Sequence, residues 1–401
     1  MSENGSRQQY SFAWIMLLAL LTALGPLSID MYLPALPQMA DDFGVSTQMM
    51  ANTLPAYFFG LAMGQLIYGP ISDRIGRKKP LYVGLSLYAI ASVLCVFASS
   101  EWNLIVLRVV QALGGCVGVV IARAAIRDRL DIQGSAQAFS SMMIVMGIAP
   151  IAAPTIGAWI LYFSNWRAVF VCLAFIGCIS LFCVHFFFKE TLQPSRRLKL
   201  SFQQVLTLYA SILKDQSFRF PMLAGCLTGG ALFSYISSAS PVMMDMYGLN
   251  QQQFAYAFGL NAMGIIVLSS INKRLVSRVS TINRLKLGGV IQFSGALTVF
   301  IAGLFGHPAI EIVMIGLFLT VSGLGFTGPN AMALAMSGQG ARAGTASAIM
   351  GSGQFAVGLL VGVLLNFLVW NSLLNMGIMM LMLTTGGLFA IAKVAQYFKQ
   401  A

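Results

Sequence analysis

Hydrophobic positions in this chain come in long unbroken blocks, not in the short alternating or every-third-residue patterns of a soluble core. Stretches free of Asp, Glu, Lys and Arg run over 8–29, 43–72, 80–100, 132–166, 168–188, 220–244, 246–272, 287–310, 312–341 and 343–392. About 20 apolar residues in a helix cross the roughly 30 Å of hydrocarbon in a bilayer. The last block is long enough for two crossings, with a turn near Trp370-Asn371-Ser372, and a further crossing near 102–122 is interrupted only by Arg108. The pattern therefore predicts twelve spanning helices, at about 12–37, 48–71, 80–99, 102–122, 136–163, 167–188, 220–244, 252–272, 286–305, 309–331, 344–368 and 373–394.

The longest polar segment, 189–219, has six of these spans before it and six after. Within it Phe202, Val205, Leu206, Leu208, Tyr209, Ile212 and Leu213 recur at near-helical spacing beside Lys214, which predicts an amphipathic helix lying on one membrane face. The expected fold is an all-α integral membrane protein: a six-helix bundle over 1–188, a linker over 189–219 and a second six-helix bundle over 220–401. Paired bundles with such a linker are a pattern of transporters built from parallel repeats.

Composition excludes a soluble protein. Of 401 residues, 58% are hydrophobic and 9% charged, against about 25% charged in soluble domains. The first apolar block is too long for a signal-peptide core and lacks a small-residue cleavage site, so it is expected to remain in the mature protein. A net charge of +12 would suit nucleic acid, but its placement points elsewhere. With the N-terminus inside, 22 of the 24 basic residues fall in inner loops and tails, leaving Arg167 outside and Arg108 within the membrane. Basic residues gather on the cytoplasmic side, so both termini are expected there. Asp41, Asp42, Glu101, Asp245 and Glu311 fall on the outer side.

Chemistry-bearing residues are few. The six cysteines lie within predicted spans without metal-ligand spacing, and the two histidines, His185 and His307, sit near span ends. No metal site is expected, and an intramembrane enzyme would need a convergent nucleophile, base or metal cluster that these residues do not supply. Small residues form stripes: Gly114, Gly118 and Ala122 in span four, and Gly344, Gly351, Gly358 and Gly362 in span eleven. Such stripes let helix backbones approach closely, either as static packing or as a sliding surface. In span five, Gly147, Pro150, Pro154 and Gly157 suggest a bent element.

Two charges stand inside the membrane, Asp30 in span one and Arg108 in span four, each roughly 10 Å from the outer edge by residue count. A mid-membrane charge costs about 2.5–3.5 kcal/mol on insertion scales. Similar depth permits a pair. Two readings stay open: a permanent ion pair that orders the bundle, or a proton site, since burial favours a protonated carboxyl and a nearby cation the charged one.

Several segments resemble a known family. The loop Gly69-Pro70-Ile71-Ser72-Asp73-Arg74-Ile75-Gly76-Arg77-Lys78-Lys79 resembles the cytoplasmic signature of the major facilitator superfamily, in which it latches the two halves in one state. Its glycines suit a tight turn, and Asp73 suits a helix N-terminus. Arg108-Val109-Val110-Gln111-Ala112-Leu113-Gly114-Gly115 is similar to the family's Arg-x-x-Gln-Gly motif tied to proton transfer, with Ala112 where Gly is usual. Gly147-Ile148-Ala149-Pro150 and Pro154-Thr155-Ile156-Gly157 look like its antiporter motif, a mark of exporters. Leu27-Ser28-Ile29-Asp30-Met31-Tyr32-Leu33-Pro34-Ala35-Leu36-Pro37 looks like the first helix of the bicyclomycin/chloramphenicol resistance branch of drug:proton antiporters. Some relatives carry a second acid earlier in that helix. Here the region reads Leu20-Leu21-Thr22-Ala23-Leu24, leaving Asp30 as the single proton site.

The resemblance implies a bacterial inner-membrane exporter of small amphipathic drugs, chloramphenicol-like compounds among them, and a monomer is expected because each bundle holds its own pathway. It would work in membrane lipid by alternating access, without a nucleic-acid partner or a cofactor, the proton being the coupling ion. Polar and aromatic residues expected deep in the central cavity are Tyr32, Asn52, Tyr57, Met146, Tyr235, Ser238, Asn261, Asn330 and Gln354. The sparse acids favour neutral or weakly charged substrates. A carrier exporting a metabolite such as a sugar or amino acid is the close alternative.

Overall fold

In the computed structural model, residues 12–130, 132–197, 202–368 and 370–400 are described, and all their regular elements are helical. Six long helices come first: α1 (Phe12–Asp30), α2 (Thr53–Ile75), α3 (Lys78–Val96), α4 (Glu101–Arg129), α5 (Ile132–Phe163) and α6 (Trp166–Phe187). The linker helix Phe202–Lys214 follows, where the apolar spacing predicts it. Then come α7 (Gln216–Ser240), α8 (Gln251–Leu275), α9 (Thr281–Leu304), α10 (Ile310–Met336), α11 (Ala343–Leu365) and α12 (Ser372–Gln400). Ten of the twelve are long and apolar enough to cross a membrane. The exceptions are α2, whose composition is diluted by Gln65, Tyr57, Tyr68 and two prolines, and α5, which contributes the shorter apolar stretch Gly147–Phe163. The chain is a multi-pass membrane protein.

Two spans depart from continuous helices. The first ends at Asp30 and passes through a turn at Leu33–Ala35, where Pro34 offers no backbone donor, into a short helix Leu36–Phe43. The tenth is broken at Gly323, against which Gln292 of α9 packs. Gln292 Nε2 donates to the carbonyls of Thr320 (3.1 Å) and Thr228 (3.2 Å), and its Oε1 accepts from Thr327 at 3.0 Å. One buried amide thereby satisfies groups that a membrane offers no water to meet.

Within the first six helices α4 is central, packing on α1, α2 and α3. Its small residues do not share one seam. A Cβ at Gly114 would strike the Tyr88 backbone of α3, whereas one at Gly118 would strike the Leu21 backbone of α1. In the second six, α7 packs on α10, α11 and α12, and α9 on α10 and α12. The two sets meet along α2 with α11 and α5 with α8. On the face that carries the basic loops, the basic face, a cavity of about 350 Å³ lies between α2, α4, the linker helix and the start of α11. On the far face a cleft of about 550 Å³ is lined by Gln48, Met49 and Asn52 from one side and residues near Asn366 and Asn375 from the other.

Candidate functional site

Arg108 is fully buried on α4. Three residues on, hence on the same helix face, Gln111 accepts from its Nη1 at 2.7 Å. Nη2 donates to the backbone carbonyl of Ser28 on α1 at 2.8 Å. The guanidinium carbon lies 4.4 Å from the ring centre of Tyr32 and 4.1 Å from that of Tyr57, so two aromatic rings share its charge. Gln111 Nε2 donates to Ser92 Oγ at 2.7 Å, and Ser28 Oγ and Tyr88 Oη are 2.7 Å apart. A single network thus ties α1, α3 and α4 around one permanent charge.

Asp30 is buried at the end of α1, two residues and about 200° of helix turn beyond Ser28. Its carboxylate enters no ion pair or hydrogen bond among the described residues. The Ser28 carbonyl, not Asp30, meets Arg108, so the pair that similar depth permits is absent from this state among the described residues. Just beyond Asp30 the turn Leu33–Ala35 packs on α7 and α8 of the second set, and α7 carries Tyr235. The Tyr235 hydroxyl accepts from Asn261 Nδ2 at 3.0 Å, and its ring stacks on Phe258 with centres 5.1 Å apart. The remaining amide oxygen of Asn261 is buried without a partner.

The other expected cavity residues scatter. Tyr32 and Tyr57 serve the Arg108 network, Tyr32 also bonding Thr53 Oγ1 at 2.6 Å. Asn52 sits at the far face, accepting from Asn366 Nδ2 at 2.6 Å. Ser238 is buried on α7, and Gln354 is half-buried beside Gly229. Asn330 does not face a central cavity. Its amide donates to Asn272 Oδ1 at 3.0 Å, which also accepts from Arg284, within the second bundle. The side chain of Met146 lies outside the described residues.

In the 69–79 loop, Gly76 has φ +96° and ends α2. Arg77 Nη1 pairs with Asp73 at 2.6 Å and also reaches Ser72, while Nε pairs with Asp128 of α4 at 2.9 Å. The N-terminus of α3 is met not by Asp73 but by Glu190, whose carboxylate accepts from the backbone N–H of Arg77 (2.9 Å) and Lys78 (3.1 Å). Burial alone would raise the Glu190 carboxyl, but these donors, with the N–H groups of Thr191 and Leu192, hold it below its ordinary range. Asp73 is occupied by Arg77 and so unavailable for that cap. All these partners belong to the first six helices or the residues just after them. Arg74 is exposed, and a Cβ at Gly69 would meet open space, so close helix contact does not explain that glycine in this state.

The α5 motif divides. Gly157 lies against the Met31 backbone of α1, where a Cβ would collide, whereas Gly147 faces Ile266 of α8 at ordinary contact distance. The helix runs through Pro150 and Pro154 without interruption.

Sequence reasoning missed an aromatic cluster at the junction: Phe58 of α2 lies 4.7 Å from Phe233 of α7, and Phe355 of α11 is 5.7 Å from Phe233. Single phenylalanines in apolar spans carry no signal. Glu190 and Asp128 were likewise unremarked, though acids amid basic loops are a legible exception. Among the described residues no cluster of His, Cys, Asp and Glu is placed to hold a metal.

Comparison with known proteins follows the same lines. The family model of the Major Facilitator Superfamily matches residues 18–363. The chain is 34% identical to the uncharacterised MFS-type transporter YdgK of Bacillus subtilis over 86% of each chain. It is 30% identical to the bicyclomycin resistance protein homolog of Haemophilus influenzae, over 98% of this chain and 97% of that one. Multidrug resistance protein D of Escherichia coli is 28% identical over 87% of each chain. Among solved structures, a D-xylose–proton symporter superposes with a TM-score of 0.74 at 14% identity, over 93% of this chain and 96% of that one. The human organic anion transporter TETRAN gives 0.71 at 14%, over 95% and 99%. Those likenesses are of fold. Matched over most of its length and folded alike, the chain is a membrane transporter rather than an enzyme and belongs to the Major Facilitator Superfamily.

Proposed function

We propose that this protein exports small amphipathic antibiotics, neutral or weakly charged and chloramphenicol-like, in exchange for protons, by alternating access. The observation that carries the reading is Asp30: a buried carboxylate that makes no ion pair or hydrogen bond among the described residues, beside a turn that packs on α7 and α8 of the opposite bundle. A carboxyl that loses water in one state and regains it in another changes its hold on a proton between them. Arg108 is engaged by Gln111, Ser28 and two rings in this state, leaving Asp30 free to answer to the proton and to the second bundle. Coupling then needs only that drug and proton differ in affinity for the two states.

The moving bodies in this reading are residues 1–188 and 220–401, joined by the 189–219 linker. The basic face is cytoplasmic, with both termini there, in a bacterial inner membrane, and the monomer is the working unit. Names of relatives for drug resistance support the substrate class. The 350 Å³ cavity opening on the basic face supports entry from that side. Beyond the proton no cofactor takes part.

Proton movement in inverted vesicles on addition of drug tests this, using chloramphenicol-like and cationic compounds. Proton release from the lumen with wild type, lost in Asp30→Asn, is the expected result. Intact drug flux without a proton signal would overturn proton coupling, and export of a cation without transport of neutral drugs would overturn the substrate class.

A further inference from the structure

The basic-face cavity carries more positive charge than its own carboxylates answer. Its charged lining is Arg77, Arg123, Arg127 and Arg342 with Asp73 and Asp128, four cations against two anions. Arg77 holds both aspartates, at 2.6 and 2.9 Å. Among the described residues, neither Arg123 nor Arg127 has a carboxylate within ion-pair distance. Among the described residues Arg123 hydrogen-bonds Ser347 Oγ, at 3.4 Å, and Arg127 Nε the Arg123 carbonyl, at 3.3 Å, and Arg127 feels Asp73 and Asp128, which Arg77 holds, at longer range. Arg342 feels Asp215 at longer range, but Asp215 is already held by Ser217 and Gln339.

The start of α11 sharpens the imbalance. A helix N-terminus carries about half a positive charge and favours anions. Here Arg342 precedes α11 as its N-cap without a side-chain cap bond, and no acid stands in the first turn. Gly344 leaves the space into which the Arg127 guanidinium fits, since a Cβ there would lie 2.8 Å from Nη1. Three guanidinium groups and a helix N-terminus of the same sign therefore converge on one cavity of about 350 Å³, far larger than a single oxyanion requires.

We propose that this cavity binds an oxyanion of the phosphate type, from a lipid headgroup or free in the cytosol, between Arg123 and Arg127 of α4 and the first turn of α11. The ligand bridges the two bundles at the basic face and relieves like-charge repulsion there. The site is distinct from Asp30, which does not line this cavity.

Thermal unfolding of the purified full-length protein tests this in two arms. In detergent, inorganic phosphate is titrated against chloride at matched ionic strength. In nanodiscs, phosphatidylglycerol is compared with phosphatidylcholine. Saturable stabilisation by phosphate identifies a free oxyanion, and stabilisation by phosphatidylglycerol alone identifies a headgroup. In either case Arg123→Gln with Arg127→Gln weakens apparent affinity by about tenfold or more, while Arg278→Gln on an exposed loop leaves it unchanged. Should the double variant fail to fold, Thr345→Asp supplies a tethered carboxylate at the α11 start. It raises the melting temperature without added anion and blunts the response to phosphate or phosphatidylglycerol. No saturable stabilisation in either arm, or an undiminished response in the folded variants, overturns the proposal.

Discussion

The two contacts that join the bundles are unlike. Along α2–α11 the glycines of α11 admit whole side chains of the first bundle: Gly362 takes Pro55, Gly358 takes Phe58 and Gly351 takes the amide of Gln65. A Cβ at Gly351 or Gly362 would overlap its neighbour, and one at Gly358 would sit tightly, 3.0 Å from both Phe58 and Phe233. Along α5–α8 the corresponding approaches, Gly147 to Ile266 and Gly259 to Ile151, leave ordinary contact distances of 3.5 and 3.6 Å. The tight contact also changes along its length. Near the far face it is closed by Asn52–Asn366, while at the basic end Gly344 meets α4 instead of α2 and the cavity opens. A small-residue stripe alone does not distinguish pivot from gate. Here one seam is closely fitted and the other is packed at ordinary contact distance.

The largest effect is expected from Gly351→Leu, which forces a branched side chain into the place of Gln65. It should destabilise the protein by about 1–3 kcal/mol and abolish drug flux, read as a fall in melting temperature together with loss of transport in vesicles. A folded, fully active variant would deny the close fit of this seam its role. Next comes Asn366→Ala, which removes the bond that closes the far end. A loss of about 0.5–1.5 kcal/mol should raise far-face accessibility of a cysteine placed beside Asn52, measured by labelling rate. Gly259→Ala on the loose seam should stay within about 0.5 kcal/mol of wild type and keep its transport rate, and a marked loss would make the two seams equivalent.

The smallest effect is a pH signature away from both seams. Glu190 is held below its ordinary pKa when folded, so its contribution is complete at neutral pH and disappears as pH falls below about 4.3, the ordinary glutamate value. Glu190→Gln should melt lower than wild type at pH 7, with the difference shrinking on acidification. A difference that persists unchanged would mean that the carboxylate charge is not what caps α3.

Much of this was legible because lipid imposes simple demands. A crossing needs a long apolar run, and all twelve runs became helices. Arg108 and Gln111, three residues apart, had to share a face, and Gly76 sits where a positive φ requires it. What stayed hidden depended on direction and on partners remote in sequence. Counting residues cannot give Asp30 its azimuth, and it is Ser28, two residues earlier, that faces Arg108. Asn330 looked like a cavity polar group because Asn272 and Arg284, far away in sequence, could not be known as its partners. The cap on α3 comes from Glu190, more than a hundred residues downstream, and the residue with the right local spacing, Asp73, was already taken.

The guanidinium of Arg108 has one more consequence. Two rings, an amide and a carbonyl hold it fully buried. The first bundle therefore carries a standing positive potential. A monovalent cation about 10 Å away would meet a barrier of about 1.7 kcal/mol at an effective dielectric constant of 20. No carboxylate pairs with Arg108 among the described residues, so on the proposed reading the first bundle is inhospitable to cationic cargo whatever the state of Asp30.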